Sequence, residues 1–157
     1  MIQIIFYQID FYIYIIKNII PMNTKNIFTD RVGLILFDKS GEKLLLVSEI
    51  SQKMGFPKGT FEKGESLQKA ALRHLVKDTG IDLSSTSYHC MGKYLIKYSQ
   101  RSIIFLYQMQ LDEEPFYQPI KNCKKMHWVS CKDLPKIVSS QANLYNSPVH
   151  NYIKKSY

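Results

Sequence analysis

The sequence has little of the residues that define several special classes of protein. Its 157 residues include only 3 cysteines, 7 glycines and 6 prolines. Three cysteines are too few, and odd in number, for a disulfide-held mini-protein, and they require no oxidising compartment. The low glycine and proline content excludes a collagen-like repeat, and a hydrophobic content of 45% excludes a disordered chain. The length fits one compact domain and is too short for two ordinary ones.

Negative charge is also scarce in this chain. Lysine and arginine total 21 against 13 aspartate and glutamate residues, which gives a formal net charge of +8 at pH 7. A basic balance favours polyanionic partners such as nucleic acid, nucleotides or an anionic membrane surface. Charge alone does not choose among these partners.

The first 20 residues form an apolar leader rich in isoleucine, tyrosine and phenylalanine. Their length is close to that of a bilayer span, but an aspartate such as Asp10 near the bilayer centre costs about 2.5 to 3.5 kcal/mol. The leader lacks the basic start of a signal peptide and the arginine and serine of a transit peptide. Three alternatives stay open: a translated upstream stretch with Met22 as the working initiator, a membrane-contacting segment, or an added element of the fold.

We divide the chain into this leader, residues 1–21, and one domain, residues 22–157. Two apolar runs, residues 31–37 and 43–48, are joined by a turn-rich tetrapeptide and predict a hairpin. A loop over residues 54–64, with a short strand at 60–61, leads to a helix that begins after Ser66 and ends at Gly80. Further strands are predicted at 91–98, 102–111 and 126–130, and further helices at 132–141 and 148–155. This order predicts a mixed sheet flanked by helices.

The loop and its helix carry the most specific motif. Residues 59–81 match a 23-residue frame at six positions: Gly59, Glu65, Arg73, Leu75, Gly80 and Ile81. The frame resembles the Nudix box, G-x5-E-x7-R-E-U-x-E-E-x-G-U, in which U is aliphatic. In the preceding run, residues 55–59, PKG with the E-K-G-E that follows is similar to the diadenosine-polyphosphate hydrolases, and GFPKG is similar to the mRNA-decapping branch. The MHWVS strand at residues 126–130, with the Asp-Leu-Pro that follows, extends the resemblance to about residues 30–140.

This resemblance implies an α/β fold, a single-domain Nudix-type α/β/α sandwich with a mixed β-sheet. It also implies a hydrolase of X-linked nucleoside diphosphates that uses Mg²⁺ or Mn²⁺, hard cations that prefer carboxylate oxygens. From the resemblance and the residues that stand at its positions, we predict the following site residues: Glu65, Arg73, His74 and Asp78 for catalysis, Lys58, Gly59 and Lys77 for phosphate binding, and Glu62, Glu65 and Asp78 for the metal.

The box helix departs from the family pattern at three positions. His74, Lys77 and Asp78 stand where active members have glutamates, and their spacing of i, i+3 and i+4 places them on one helix face. Asp78 has a shorter reach, His74 is a poor Mg²⁺ ligand, and Lys77 brings an ammonium group into the space expected for the metal. We therefore expect metal binding and hydrolysis to be weak or lost. Lys77 either holds a phosphate group directly or is a surface lysine of a decayed site.

Two other groups of polar residues each have two interpretations. Cys123, His127 and Cys131 are spaced at four residues, but without a C-x2-C pair or a fourth ligand they are more typical of ordinary strand-flanking residues than of a zinc site. The acidic run at residues 112–114 is a candidate for a compensating ligand or base. It is more typical of a solvated turn.

Aromatic and basic residues near the end of the domain are equally open to two interpretations. The aromatic residues of the long strands are candidates for stacking on a base, although core packing is more usual: Tyr94, Tyr98, Phe105 and Tyr107, followed by Phe116 and Tyr117. Lys121, Lys124 and Lys125 would attract RNA phosphate, and they would equally well be solvated lysines.

Two function hypotheses follow, and they leave open whether the chain is an enzyme. The first is a diverged Nudix protein that binds or acts on dinucleoside polyphosphate or capped RNA, with weak or lost hydrolysis, in the cytoplasm. The alternative is a non-catalytic RNA-binding or structural subunit, similar to the Nudix-fold protein of mitochondrial large ribosomal subunits. Membrane contact through residues 1–20 is a further alternative, which the polar residues of the leader disfavour.

Overall fold

The computed structural model describes residues 29–49, 53–99, 102–140 and 145–156. The leader predicted at residues 1–21 lies outside these ranges. The described elements, in chain order, are β1 (Thr29–Phe37), β2 (Lys43–Ser48), β3 (Lys58–Thr60), α1 (Leu67–Thr79), a 3-10 turn (Leu83–Ser85), β4 (Tyr88–Ser99), β5 (Ser102–Leu111), β6 (Lys125–Ser130), α2 (Leu134–Ser140) and α3 (Ser147–Ser156). None of the described helices is long and apolar enough to cross a membrane.

The six strands form one mixed sheet. Their order is β4-β5-β1-β2-β6, and β3 pairs with β1 outside this path. β1 and β5 are parallel along nine consecutive register pairs, from Thr29↔Ser102 to Phe37↔Gln110, whereas every other named pair is antiparallel. The predicted mixed sheet in a single domain is confirmed.

A segment of the loop before α1 lies between β1 and β2. The two strands form the predicted hairpin but share only one register pair, Phe37↔Leu44. Beyond it, Val47 and Gly55 exchange backbone hydrogen bonds of 2.8 and 2.9 Å, and Leu34 N–H donates to Pro57 O at 3.0 Å. β3 then continues along β1, which is why this strand begins at Lys58 rather than at the predicted residue 60.

Side chains of the sheet alternate between two buried clusters, as the two-residue repeat of a strand requires. Ile35 and Phe37 pack in one cluster with α2 and α3, whereas Leu34 and Leu36 pack in the other with α1. Phe56 belongs to the first cluster, so the inserted loop segment is anchored in the core. The layers are therefore helix, sheet and helix, as predicted.

Helix α1 has the predicted bounds and signals. Ser66 caps its first turn, because the Ser66 Oγ accepts a hydrogen bond from Lys69 N–H at 3.2 Å. Gly80 ends the helix in the left-handed region with φ of 79°, where glycine is favoured. The Gly80 carbonyl accepts from Gln118 N–H at 2.6 Å, which ties the C-terminal end of α1 to the segment after β5.

Candidate functional site

A cavity of about 1510 Å³ lies between α1, β3 and the segment that leads into β6. Its lining includes five lysines and only two acidic residues, Glu49 and Asp78. The lysines are Lys58, Lys77, Lys121, Lys124 and Lys125, and the remaining lining residues are Ser48, Gly59, Thr60, His74, Asn122, Cys123 and His127. The lining beside the box helix therefore carries an excess of positive charge.

Asp78 lies in the wall of this cavity with a lysine as its counter-ion. The residue is only 5% exposed, and its Oδ1 lies 3.4 Å from Lys124 Nζ. Lys124 also donates its backbone N–H to the Asp78 carbonyl at 2.8 Å. The other carboxylate oxygen, Oδ2, is buried with no hydrogen-bond partner among the described residues. A buried carboxylate needs a compensating charge, and here Lys124 supplies it.

Lys58 and Lys77 also line the cavity, in different environments. The pKa of Lys58 is lowered to about 8, mainly by burial and then by the nearby charges of Lys124 and Arg31, while the charge of Asp78 opposes this shift. Lys77 is exposed on the solvent side of α1. The two predicted phosphate-binding lysines therefore share one cavity, one half-buried and one at its surface.

His74 is buried and is held against the loop. Its Nε2 lies 2.7 Å from the carbonyl oxygen of Thr60. Because a carbonyl only accepts, Nε2 must carry the proton and donate. The ring lies against Gly59, where a Cβ atom would collide with it. Gly59 is therefore a packing requirement of this site, in addition to lining the cavity.

Glu65 and Arg73 pair with each other outside the cavity lining. Arg73 Nε donates to Glu65 Oε1 at 2.8 Å, and Arg73 NH2 donates to Oε2 at 2.9 Å. Glu62 N–H also donates to Oε2 at 3.0 Å. These bonds, with the arginine first, lower the pKa of Glu65 to about 2. Arg73 also donates to the Thr60 carbonyl at 3.2 Å, so the pair fastens the loop to α1.

The locations of the predicted metal residues determine how well they fit the divalent cation that the box resemblance implies. Of the three residues predicted for the metal, only Asp78 lines the cavity. Both carboxylate oxygens of Glu65 accept hydrogen bonds, and Glu62 is exposed outside the lining. Within the described ranges no three His, Cys, Asp or Glu residues form a group able to hold a metal. One free aspartate oxygen beside ammonium groups does not fit Mg²⁺ or Mn²⁺.

His127 and the acidic run contact other polar side chains. His127 Nε2 lies 2.7 Å from the Ser48 Oγ in the cavity wall, and burial followed by the charge of Lys125 lowers the pKa of His127. Asp112 lies 2.7 Å from His89 Nδ1, outside this cavity. Of the predicted aromatic candidates, Tyr107 is buried, whereas Phe116 and Tyr117 are exposed.

The main feature that sequence reasoning missed is the contact of Lys124 with Asp78. The sequence does place Lys124 in a basic cluster before a strand, which was the available signal. No local sequence pattern indicates that this cluster lies against α1. The contact depends on the backbone hydrogen bonds that Gln118 and Lys124 donate to the end of that helix.

Comparison with known proteins identifies the family. The model of the NUDIX domain matches residues 28–147, which is well over half of the chain. The chain therefore belongs to the Nudix family. Nudix hydrolase 4 of Arabidopsis thaliana is 27% identical over 97 residues, covering 60% of this chain and 46% of that protein. An RxLR effector protein of Phytophthora infestans is 40% identical over 53 residues, covering 32% of this chain and 20% of that protein. The chain thus spans less than half the length of these curated relatives.

Solved structures show the same fold at low sequence identity. A bifunctional NMN adenylyltransferase/ADP ribose pyrophosphatase from Francisella tularensis, complexed with AMP and Mn, matches with a TM-score of 0.64 and 15% identity, over 93% of this chain and 46% of that chain. An Ap4A hydrolase of C. elegans matches with a TM-score of 0.56 and 16% identity, over 82% of this chain and 95% of that chain. Both likenesses support the Nudix α/β architecture.

The contact between Gly59 and His74 predicts a specific stability loss. We expect Gly59→Ala to lower the free energy of unfolding by about 1 to 3 kcal/mol, the usual cost of overpacking a filled site. In a His74→Ala background most of this penalty should disappear, because the colliding ring is absent. Gly92→Ala is the control, since a Cβ there meets no atom within 4 Å. Chemical denaturation measures all variants, and an equal loss in both backgrounds would contradict the prediction.

The Glu65–Arg73 pair predicts a pH dependence of stability. The pKa of Glu65 falls from 4.5 to about 2 on folding, so its stabilisation is fully present above about pH 4.5 and is lost as the pH falls towards 2. We expect Glu65→Gln to lower the melting temperature at neutral pH, with a difference from the parent that shrinks across this window. Glu42→Gln, at an exposed turn, is the control in thermal melts. A difference that is constant with pH would disprove the assignment.

Proposed function

We propose that this chain binds nucleotides with linked phosphate groups, such as dinucleoside polyphosphates or capped RNA, and that its hydrolysis of the diphosphate is weak or lost. The observation that carries the proposal is the cavity beside the box helix, with five lysines and two acidic residues in its lining. Such a surface attracts anions and repels cations. A chain of phosphate groups is an anion of high charge density.

The energetics of the lysines support an anionic ligand. Lys58 lies near the positive charges of Lys124 and Arg31, and both charges lower its pKa by disfavouring the protonated form. Phosphate oxygens would relieve this repulsion and form charge-assisted hydrogen bonds with the ammonium groups. Binding of an anion therefore stabilises a charge arrangement that is strained in the free protein.

The surroundings of the box residues support weak or lost hydrolysis. Asp78 already has a lysine counter-ion, and Glu65 is engaged by Arg73. Carboxylates in this state are poor partners for a divalent cation. The family membership, together with the Ap4A hydrolase and ADP ribose pyrophosphatase among its structural neighbours, supports the class of ligand.

A ligand and substrate panel tests this function. Ap4A, capped RNA and ADP-ribose would be titrated by calorimetry, and product release would be followed with Mg²⁺, Mn²⁺ or EDTA at high protein concentration. We expect binding of at least one member, with turnover absent or very slow. Fast turnover that disappears in Glu65→Gln would contradict the loss of hydrolysis. Absence of binding, with co-sedimentation with large ribosomal particles, would favour the structural alternative instead.

Lys77 gives a residue-level prediction for the same site. Removing one exposed cation from a phosphate ligand costs about 1 kcal/mol, so Lys77→Ala should weaken Ap4A binding by roughly three- to tenfold. Lys69→Ala is the matched control, because Lys69 is an exposed lysine of α1 that does not line the cavity. If the two variants bind Ap4A equally well, Lys77 is a surface lysine without a role in the ligand site.

A further inference from the structure

Lys124 differs from the other cavity lysines in how firmly it is placed. Its backbone N–H donates to the Asp78 carbonyl at 2.8 Å, and its Nζ lies 3.4 Å from Oδ1 of the same residue. The last carbonyls of a helix have no partner within the helix, so the backbone bond meets a need of α1 itself. Lys124 is thus attached to Asp78 by both its backbone and its side chain.

The surrounding segment holds this placement. Gln118 N–H donates to the Gly80 carbonyl at 2.6 Å, so the chain is fixed to the end of α1 at two points, Gln118 and Lys124. The Lys124 side chain is only 30% exposed, and its ammonium group lies 3.4 Å from Asp78 Oδ1 and 4.0 Å from Glu49 Oε1. An ammonium group with two carboxylates this near and little exposure is a structural part of the cavity wall rather than a solvated lysine.

The position of this ammonium group bears on metal binding. A divalent cation on Asp78 would lie within a few ångströms of Lys124 Nζ and near the charge of Lys58, which also interacts with Asp78. Like charges at such distances repel strongly in a half-buried site. Displacing Lys124 would in addition break its contact with Glu49. The two cations therefore compete for one carboxylate.

We propose that Lys124 is a built-in counter-ion of Asp78, that it takes the place of a divalent cation beside this carboxylate, and that phosphate groups bind to Lys124 and Lys58 without a metal. This inference deepens the proposed function and rests on it for the identity of the ligand. The exclusion of the metal is independent of the ligand.

Metal binding tests the first half of the inference in the absence of any nucleotide. Free Mn²⁺ would be measured by electron paramagnetic resonance during titration of the parent, Lys124→Met and Lys124→Glu. We expect Lys124→Met to bind Mn²⁺ at least about threefold more tightly than the parent and Lys124→Glu at least about tenfold more tightly. Lys69→Met and Lys69→Glu, on the same helix as Asp78 but outside the cavity, should match the parent. Far-ultraviolet circular dichroism would confirm that each variant is folded.

Ligand binding tests the second half. Ap4A would be titrated by calorimetry into the parent and Lys124→Met, each in EDTA and in excess Mg²⁺. We expect the parent to bind Ap4A in EDTA at least as tightly as in excess Mg²⁺, because Mg²⁺ also binds the phosphate groups of the free ligand and reduces their charge. Lys124→Met should bind about tenfold more weakly in EDTA, and Lys69→Met should match the parent.

The outcomes separate the two proposals. If the parent binds Mn²⁺ as tightly as Lys124→Glu, or if Lys124→Met gains no affinity for Mn²⁺, the counter-ion role is disproved. If Ap4A binds the parent only with Mg²⁺, the metal-independent site is disproved while nucleotide binding stands. If none of the panel ligands binds in either condition, the proposed function fails, and the Mn²⁺ series still decides the role of Lys124.

Discussion

The gap between β1 and β2 determines where the loop before α1 enters the sheet, and the geometry of the site depends on it. Because the two strands share a single register pair near their turn, residues 55–57 enter the sheet between them, anchored by Phe56 in the core. β3 is then forced to run along β1, which places Gly59 under the His74 ring. The loop and the helix of the box are thereby fixed to each other before any ligand is considered.

Electrostatic balance around α1 is the second determinant of the site. Two carboxylates at this helix form ion pairs with cations of the same chain. Glu65 pairs with Arg73 outside the cavity, and Asp78 pairs with Lys124 inside it. Desolvated carboxylates require such partners, since an unpaired buried charge is costly. The other lysines of the cavity leave its lining with an excess of positive charge.

Local sequence patterns predicted the helices and strands well, but they did not predict contacts between residues far apart in the chain. The Ser66 cap, the Gly80 stop and the apolar stripe gave the bounds of α1, because each of these acts within a few residues. The spacing of the box predicted one helix face for His74, Lys77 and Asp78, and all three line the cavity. The ion pair of Asp78 with Lys124 depends on how the segment after β5 returns to α1, and no periodicity in the sequence encodes that path. The same limit applies to Glu62 and Glu65, whose predicted metal role came from the family pattern, while their hydrogen bonds depend on the fold of the loop.

The box residues kept at the family spacing make contacts that stabilise the fold. Glu65 and Arg73 fasten the loop to α1, Gly59 admits the His74 ring, and Gly80 ends the helix. The charges that a ligand would meet come from other positions, including Lys77, Asp78 and Lys124. The box positions shared with the family therefore report on the scaffold, and the charge of the cavity depends on other residues. The same separation means that the charge of the cavity can change by a few substitutions, in evolution or by design, while the architecture and its recognisable motif persist.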